Sequence, residues 1–327
     1  MKFITAFGAT DSPARSVPST REHLRVGLVQ HRWRDDAAEL EGVLDQAIGQ
    51  IADAGGKVAF LPELTLSKYP ADQRADANPA RNAEHLTEGR TFRFAAEAAA
   101  RHNILVHASL YERADESDGL GFNTAILVAP NGDLLGRTRK LHIPVSAGYY
   151  EDTYFRPGPS ADPYPVYTPP GLNGATLGMP TCWDEWFPEV ARAYSLAGAE
   201  ILVYPTAIGS EPTFPAFNTQ PLWQQVIVGH GISNGTFMVV PNRTGDEGEV
   251  AFYGSSFISD PYGRIVAQAP RDEEAAVVVD LDLDQRRDWL DLFPFLATRR
   301  PDTYGVLGDP VDEDQPHGRG VEQAVAR

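Results

Sequence analysis

Apolar runs typical of buried strands alternate with stretches of helical periodicity, and this alternation restricts the fold more than any other feature of the chain. Between residues 36 and 54 the apolar side chains recur every three or four positions, as on one face of an amphipathic helix. Apolar runs at 24–30 and 57–61 flank that helix and have the composition of strands. In this half we predict strands at 24–30, 57–61, 104–111, 122–128 and 134–138, and helices at 36–54 and 90–102.

The second half shows the same order of elements, without a detectable sequence repeat. Turn sequences at 130–133 (Pro-Asn-Gly-Asp) and 260–263 (Asp-Pro-Tyr-Gly) predict one antiparallel hairpin in each half. The predicted strands are 174–181, 200–205, 236–241, 250–258, 264–268 and a closing strand 275–282; the predicted helices are 187–198 and 220–234, the latter with Leu222, Val226, Gly229 and Ser233 on one face. Strand–helix–strand units joined by hairpins predict an α/β fold with two mixed sheets covered by helices.

Composition excludes several classes of protein. The chain has 327 residues, 42% of them hydrophobic, a net charge of −17 and one cysteine. No apolar run reaches the roughly 18 residues of a membrane helix, and the N-terminus lacks a convincing signal peptide. The negative charge argues against nucleic acid or an anionic membrane as partner. One cysteine excludes an intrachain disulfide framework and a multi-cysteine zinc site. We therefore predict a cytoplasmic protein.

The single cysteine, Cys182, lies between a predicted strand and a predicted helix that Pro188 can begin. A helix N-terminus there would lower the pKa of the thiol and offer backbone N–H groups to a developing oxyanion. By itself, a lone cysteine is more often a small buried hydrophobic residue. Two other charged residues sit at element ends: Glu63 follows a buried strand, and Lys140 follows the first hairpin. Either alone is more often a solvated strand end.

In these contexts, Glu63, Lys140 and Cys182 together resemble the catalytic triad of the nitrilase superfamily of carbon–nitrogen hydrolases. The resemblance extends from about Arg25 to Tyr304. It implies a four-layer αββα sandwich, with two mixed sheets facing each other and helices outside. It also implies a homodimer or larger homo-oligomer with a small-molecule substrate and no cofactor. We predict an N-terminal arm at 1–22, a hydrolase domain at 23–290 and a C-terminal extension at 291–327, located at a subunit interface.

The residue types suit hydrolysis of a carbon–nitrogen bond. An amide or ureide carbonyl is a poor electrophile and needs a strong nucleophile, which the Cys182 thiolate supplies. Glu63 can take the thiol proton and pass it to departing ammonia, while Lys140 and the backbone N–H of Trp183 hold the oxyanion. The resemblance adds a fourth position to the site, the acidic residue Glu151. An equally good interpretation of Glu151 is a loop carboxylate held in an ion pair. The scheme needs no metal.

Histidine has no part in that scheme. We therefore interpret His142 and His230 as structural residues in partly buried sites. A metal-dependent amidohydrolase is disfavoured, because His and Asp ligands are not clustered along the sequence.

Within the superfamily, the chain is most similar to the N-carbamoylputrescine amidases. The matching stretches are 149–158, 182–189 (Cys-Trp-Asp-Glu-Trp-Phe-Pro-Glu), 198–212 and 299–304. At Pro180-Thr181 and Leu222-Trp223 the sequence differs from the residues usual in that subfamily, so the resemblance does not determine the substrate. The first reading is hydrolysis of an N-carbamoyl amine to amine, carbon dioxide and ammonia. A β-ureido acid, an aliphatic amide or a nitrile remain alternative substrates, and an inactive nitrilase-like binding protein is an alternative of another class.

The residues that follow Cys182 bear on the charge of the substrate. Relatives that hydrolyse N-carbamoyl-D-amino acids carry two arginines at the third and fourth positions after the nucleophile, where they hold the carboxylate. Glu185 and Trp186 occupy those positions here. We therefore expect a neutral or cationic substrate tail, unless Glu185 faces an interface or an arginine. The candidate substrate-binding residues are Trp183, Asp184, Glu185, Trp186, Tyr150 and Thr206.

Overall fold

The strands of the protein were located in a computed structural model, which describes residues 1–312 and 314–318. The strands are β1 Lys2–Ala6, β2 Leu24–Gln30, β3 Val58–Phe60, β4 Leu105–Glu112, β5 Phe122–Val128, β6 Leu134–Arg139, β7 Val166–Tyr167, β8 Leu177–Gly178, β9 Ile201–Val203, β10 Phe237–Val240, β11 Thr244–Asp246, β12 Ala251–Tyr253, β13 Phe257–Ser259, β14 Ile265–Gln268 and β15 Ala275–Leu281. The helices are α1 Ala37–Asp53, α2 Arg90–His102, α3 Pro188–Leu196, α4 Gln220–Asn234 and α5 Gln285–Leu292. The predicted helices and hairpins are therefore present.

Two large mixed sheets share one pattern of strand directions. The first has the order β1-β15-β2-β3-β4-β5-β6 and the second β14-β13-β10-β9-β8-β7. In the first, β2, β3 and β4 are parallel and β5 and β6 follow as antiparallel neighbours. In the second, β8, β9 and β10 are parallel and β13 and β14 follow in the same way. Each half of the chain therefore builds the same kind of sheet.

Three apolar clusters show how the layers stack. The cluster between the sheets combines Val26 and Phe60 of the first sheet with Val203 and Val239 of the second. A second cluster packs α1 and α2 onto the first sheet, and a third packs α3 and α4 onto the second. The order of layers is helix, sheet, sheet, helix, which confirms the predicted four-layer αββα sandwich.

Local sequence explains where the outer helices begin and end. The side chain of Asp36 accepts hydrogen bonds from the N–H groups of Ala38 and Glu39 at the start of α1. Asn103 ends α2 in the left-handed conformation, with φ of 51°. Among the described residues, no helix combines the length and apolarity that a membrane crossing requires.

Several predicted elements need correction. The predicted strand 174–181 shortens to β8, because Gly174 has a φ of 75° and Pro180 lacks an N–H for a ladder. The predicted strand 250–258 is split into β12 and β13, since Gly254 and Ser255 both have positive φ between them. β12 pairs with β11 in a separate two-stranded sheet.

The prediction of which α4 residues share the packed face is also wrong. The helix buries Trp223, Ile227 and His230, whereas Leu222 on the predicted stripe is 47% exposed. Both faces of α4 carry apolar side chains, so periodicity alone did not separate them.

The N-terminal residues are not wholly irregular. β1 pairs in parallel with β15, so β15 lies inside the first sheet and β1, not the predicted closing strand, forms its edge. Beyond β1, arginines of the N-terminal segment reach acidic residues near α5. Arg15 contacts Asp282 and Asp288, and Arg21 contacts Asp284 and Glu200. Ion pairs, as well as the pairing of β1 with β15, therefore hold this segment against the rest of the first unit.

The C-terminal residues form a separate compact unit that begins at Pro294. Within it, short 3₁₀ turns cover Pro301–Thr303 and Gly305–Gly308, and Arg300 pairs with Asp302. The first unit ends at Phe293, just after α5. The division at residues 22 and 290, and the placement of 291–327 at a subunit interface, remain predictions; residues 313 and 319–327 of that extension lie outside the described part of the chain.

Replacing Arg21 by Met is expected to lower the free energy of unfolding by about 1–3 kcal/mol, since it leaves half-buried acceptors without their charged donor. Arg21 is 27% exposed and also donates to the carbonyl of Leu283 at 2.9 Å. Arg300→Met is the control, because the Arg300–Asp302 side chains are 70% and 61% exposed. That control should leave the free energy of unfolding essentially unchanged. Equal effects in denaturant titrations would contradict the assignment.

Candidate active site

Glu63, Lys140 and Cys182 converge where strands of both sheets end. Glu63 lies three residues beyond β3, Lys140 directly follows β6, and Cys182 begins a 3₁₀ turn, Cys182–Trp186, shortly after β8. Their exposed fractions are 0%, 1% and 6%. Strands β3 and β6 belong to the first sheet and β8 to the second. Because the two sheets pack face to face, the three side chains come together.

Lys140 bridges two buried carboxylates. Its Nζ donates to Glu63 Oε1 at 2.9 Å and to Glu151 Oε2 at 2.7 Å. Glu151 lies in a 3₁₀ turn, Glu151–Thr153, and is as buried as the lysine. The fourth catalytic residue predicted from the resemblance, the acidic Glu151, therefore shares its ammonium partner with Glu63.

The charges of this cluster shift one another's pKa values. Burial alone would lower the pKa of the Lys140 ammonium, but the charges of Glu151 and Glu63 outweigh it and hold that pKa well above its ordinary value. Burial raises the pKa of the Glu151 carboxyl to about 7, against the opposing attraction of Lys140. The two carboxylates therefore favour the charged form of Lys140, and Lys140 in turn offsets part of the cost of burying the Glu151 charge.

The Cys182 thiol differs from the expectation for a helix N-terminus. Burial, and then the negative charge of Glu63, raises the pKa of this thiol well above its ordinary value. The predicted lowering by the following helix is thus outweighed. The resting site holds a thiol, and its deprotonation needs an adjacent base.

Two residues that sequence reasoning missed complete the cluster. Asn123 Nδ2 donates to Glu63 Oε1 at 2.7 Å, and the Tyr69 hydroxyl donates to Glu151 Oε1 at 2.9 Å. Asn123 is a polar residue inside the buried strand β5, a signal that the sequence did contain. No such local signal marks Tyr69.

The backbone at Cys182 is constrained. Its φ is 39°, in the left-handed region that costs a non-glycine residue free energy, and its N–H donates to the carbonyl of Pro205 at 3.0 Å. Asp184 supports this turn by accepting from the Thr181 N–H at 3.1 Å and from the His142 N–H at 2.9 Å. The same carboxylate thus ties the cysteine turn to the segment that follows Lys140.

The contacts of Asp184 bear on the roles predicted for His142 and for Asp184 itself. His142 Nδ1 lies 2.7 Å from Asp184 Oδ1, and the imidazole stacks on Phe187 with a centroid distance of 3.7 Å. His142 therefore sits in a structural position, as interpreted from the sequence. Asp184 was predicted to meet the substrate, but its two oxygens are occupied within the fold.

A cavity of about 290 Å³ opens onto Cys182. Most of its wall is apolar or aromatic, from Pro144, Tyr149, Trp183, Trp186, Ile208, Phe217 and Leu222. Its polar lining comes from Ser146, Glu151, Glu211 and Thr219, and the lining residues that the structure describes include neither Lys nor Arg. A cavity of this size takes a small molecule.

Only some predicted substrate-binding residues line this cavity. Trp183 and Trp186 do, with ring centroids 6.2 Å apart. Tyr150 does not: the Arg74 guanidinium stacks on its ring at 4.5 Å, and the neighbouring Tyr149 lines the cavity instead. Adjacent tyrosines cannot be told apart by sequence when the chain there forms a loop.

Glu185 and Thr206 lie behind the cavity wall. Glu185 is fully buried; one oxygen accepts from the Thr206 hydroxyl at 3.4 Å, and the other has no hydrogen-bond partner among the described residues. Burial, followed by the charge of Glu63, raises the pKa of the Glu185 carboxyl well above its ordinary value. Burial therefore disfavours the charged form of Glu185, and the residue does not line the cavity, which argues against its predicted contact with a substrate cation.

Glu185→Gln is expected to stabilise the protein increasingly as pH rises. The folded state keeps a proton on Glu185 that the unfolded chain releases above its ordinary pKa of 4.5, so this residue costs more stability as pH rises above that value. Glutamine removes that cost. The measurement is thermal unfolding of variant and wild type at a series of pH values above it, with exposed Glu189→Gln as control. A constant difference between Glu185→Gln and wild type would contradict a raised pKa.

Metal ligands are not grouped in the part of the chain described: residues 1–312 and 314–318 contain no set of three His, Cys, Asp or Glu side chains that could hold an ion. Three histidines outside the cluster, His31, His107 and His230, are buried. Burial lowers the pKa of His31 and of His107 to about 3, and burial also lowers the pKa of His230.

Comparison with known proteins agrees with this geometry. The chain is 34% identical over 293 residues to a citrullinase of Francisella tularensis, covering 87% of this chain and 98% of that protein. It is also 34% identical over 300 residues to an N-carbamoylputrescine amidase of Arabidopsis thaliana, covering 88% and 96%. A carbon–nitrogen hydrolase from Helicobacter pylori G27 has a similar structure, with a TM-score of 0.75, 28% identity, and coverage of 88% of this chain and 99% of that one.

A family model matches most of the first unit. The model of the carbon–nitrogen hydrolases aligns with residues 25–291, which include Glu63, Lys140, Glu151 and Cys182. The resemblance noted from the sequence is thereby confirmed. The chain belongs to the carbon–nitrogen hydrolase family.

Proposed function

We propose that the protein hydrolyses an N-carbamoyl amine with a cationic tail, of the N-carbamoylputrescine type, to the amine, carbon dioxide and ammonia. The observation that carries this proposal is the charge pattern of the cavity. The lining includes Cys182, the carboxylate of Glu151 paired with the buried ammonium of Lys140, and the carboxylate of Glu211 in an otherwise largely apolar wall. A neutral ureide suits the surroundings of Cys182, and an ammonium suits Glu211.

Cys182 acts as the nucleophile and Glu63 as its base. The Oε1 atom of Glu63 is held by Asn123 and Lys140, whereas Oε2 has no hydrogen-bond partner within the described chain. That oxygen accepts the thiol proton as sulfur attacks the ureide carbon, and it then protonates departing ammonia. Water subsequently attacks the carbamoyl thioester, again with Glu63 as base, and the released carbamate decomposes to amine and carbon dioxide.

Lys140 and the turn at Cys182 stabilise the oxyanion. The raised pKa of Lys140 keeps a positive charge in the cluster throughout turnover. Trp183 supplies an N–H from the first positions of the 3₁₀ turn, which lack acceptors inside a helical turn. Glu151 shares the ammonium and lines the cavity, where it fixes the position of Lys140.

Glu211 selects the substrate tail. It follows β9 in a long loop, and its Oε1 lies 3.4 Å from the Thr219 hydroxyl, also in the cavity lining. Burial raises the pKa of this carboxyl, which means that its negative form is poorly solvated. An incoming ammonium replaces the missing solvation. Glu211 thus takes the role that the sequence assigned to Glu185 and Asp184.

Citrulline is the competing substrate, because a citrullinase is among the relatives. Citrulline has a ureide and an ammonium but also an α-carboxylate. That carboxylate would lie near Glu211, and the described cavity lining offers no Lys or Arg to pair with it. The same reasoning disfavours β-ureido acids and N-carbamoyl amino acids.

The setting of the enzyme is proposed on the sequence alone. We propose a cytoplasmic homo-oligomer that acts without a cofactor. An inactive nitrilase-like binding protein, the alternative of another class, would bind carbamoyl amines without releasing ammonia. Ammonia detection therefore separates the two.

Cys182→Ala and Cys182→Ser are expected to abolish ammonia release while the fold persists. Glu63→Gln should lower kcat by about 100-fold or more, because it removes the base and keeps its shape. Lys140→Met should lower kcat more than it raises KM, since the charge acts mainly on the tetrahedral intermediate. Exposed Lys57→Met is the control. Near wild-type turnover in either cysteine variant would remove Cys182 as nucleophile.

Glu211→Gln is expected to lower kcat/KM for N-carbamoylputrescine by about 10- to 100-fold, the usual range for losing a charged hydrogen bond. Its effect on N-carbamoylbutylamine, which lacks the ammonium, should be small. Glu185→Gln should preserve the ratio of the two substrates. A wild-type preference for citrulline or N-carbamoyl-β-alanine would reject the charge assignment, and a ratio altered only by Glu185→Gln would return the role to Glu185.

A further inference from the structure

We propose that Arg243 is a positioning residue for Glu63: through the backbone of the loop at 63–67, it holds the base against Cys182. This inference rests on the proposed role of Glu63. Arg243 lies three residues after β10 in the second sheet, whereas the loop follows β3 in the first. A fully buried arginine therefore connects the two sheets directly behind the catalytic cluster.

The guanidinium donates to the loop at several points. Nε and one terminal nitrogen donate to the Glu63 carbonyl at 3.1 and 3.0 Å. The same terminal nitrogen donates to the carbonyls of Leu64 and Ser67. These bonds fix the backbone immediately around the base. Leu64 has a φ of 48°, so this backbone is strained and depends on its surroundings to persist.

The other side of the loop is held by the first sheet. The Oγ atom of Ser109, in β4, accepts a hydrogen bond from the Leu64 N–H at 3.0 Å. The backbone carbonyl of the same residue accepts from the Thr65 N–H at 2.8 Å. Ser109 therefore satisfies the N–H groups and Arg243 satisfies the carbonyl groups. Loss of Arg243 removes this donor from the carbonyls of Glu63 and Ser67, whereas the Leu64 carbonyl keeps the Ser67 N–H at 2.9 Å.

Glu247 balances the charge and extends the support to Glu151. Its two oxygens accept from Arg243 at 2.9 and 2.8 Å, with both side chains almost fully buried. Glu247 Oε2 also accepts from the Tyr69 N–H at 3.0 Å, and the Tyr69 hydroxyl donates to Glu151. The Arg243–Glu247 pair thus supports both carboxylates that share Lys140.

A lysine cannot reproduce this arrangement. The planar guanidinium has five N–H donors in a fixed fork, whereas an ammonium has three donors on a single atom. Lysine at 243 keeps the charge beside Glu247 but cannot also reach the carbonyls of Glu63, Leu64 and Ser67. Arg243→Lys therefore separates positioning of the loop from charge compensation.

Alkylation by iodoacetamide gives a readout that needs no substrate. Cys182 is the only cysteine in the chain, so mass spectrometry of the modified protein reports this thiol alone. In Arg243→Lys we expect kcat to fall about 10- to 100-fold with KM within about twofold, because a small displacement of the base is costly. We expect the alkylation rate at neutral pH to fall by a similar factor. If carbamoyl amines are not turned over by wild type, the alkylation rate still tests Arg243.

Arg286→Lys is the matched control. Arg286 of α5 is also largely buried and donates to the carbonyls of Asn234, Gly235 and Ser195, which lie outside the catalytic cluster. This variant should lower the melting temperature and leave kcat and alkylation unchanged. If Arg243→Lys behaves in the same way, Arg243 is merely structural and the proposal fails. A change confined to KM would also overturn it.

A second variant keeps the proposal testable if Arg243→Lys does not fold. Glu247→Asp retains the charge but withdraws the carboxylate by one methylene from Arg243 and Tyr69. It should lower kcat and the alkylation rate together, by about threefold or more, with KM unchanged. Unchanged kcat and alkylation in a folded Glu247→Asp would overturn the proposal.

Discussion

The fold depends on keeping one ammonium, that of Lys140, buried between the carboxylates of Glu63 and Glu151. Desolvating three charges is costly, and the cost is offset only where short hydrogen bonds satisfy each group. Lys140 contributes bonds of 2.9 and 2.7 Å, while Asn123 and Tyr69 supply further donors to the two carboxylates. These partners come from strands and loops far apart in sequence, so the cluster forms only when the first sheet and its loops are complete.

The second sheet supplies Cys182 to that cluster. Because both sheets have the same pattern of parallel strands followed by an antiparallel pair, placing them face to face brings their strand ends to a common edge. Glu63 and Lys140 come from this edge of the first sheet, and Cys182 comes from the second. Two residues of the second half then link it to the first. Arg243 donates hydrogen bonds to the loop of Glu63, and Asp184 accepts them from the residues after Lys140. The distances at the site are thereby set by how the sheets pack.

Periodicity predicted the elements that bury one face, such as α1 and β2, and motif resemblance predicted the group formed by Glu63, Lys140, Glu151 and Cys182. Both signals are local. The direction of the Cys182 pKa shift was wrong because it depends on burial and on Glu63, which is remote in sequence. Glu211 was missed for the same reason: only the loop after β9 places it in the cavity. Short edge strands such as β1 depend on a partner strand, so composition did not indicate it.

The same electrostatics determine how a carbamoyl amine lies in the cavity. Near Cys182, the cavity lining includes the carboxylate of Glu151, which is already paired with Lys140, so an ammonium there would have to compete with that buried ion pair. An ammonium at Glu211 instead gains a partner, and the indoles of Trp183 and Trp186 line the cavity beside the alkyl chain. The neutral ureide is then the end left for Cys182. Under the proposed function, specificity for a cationic tail and orientation for attack therefore come from one charge distribution, in which Lys140 occupies the Glu151 carboxylate and Glu211 accepts the substrate ammonium.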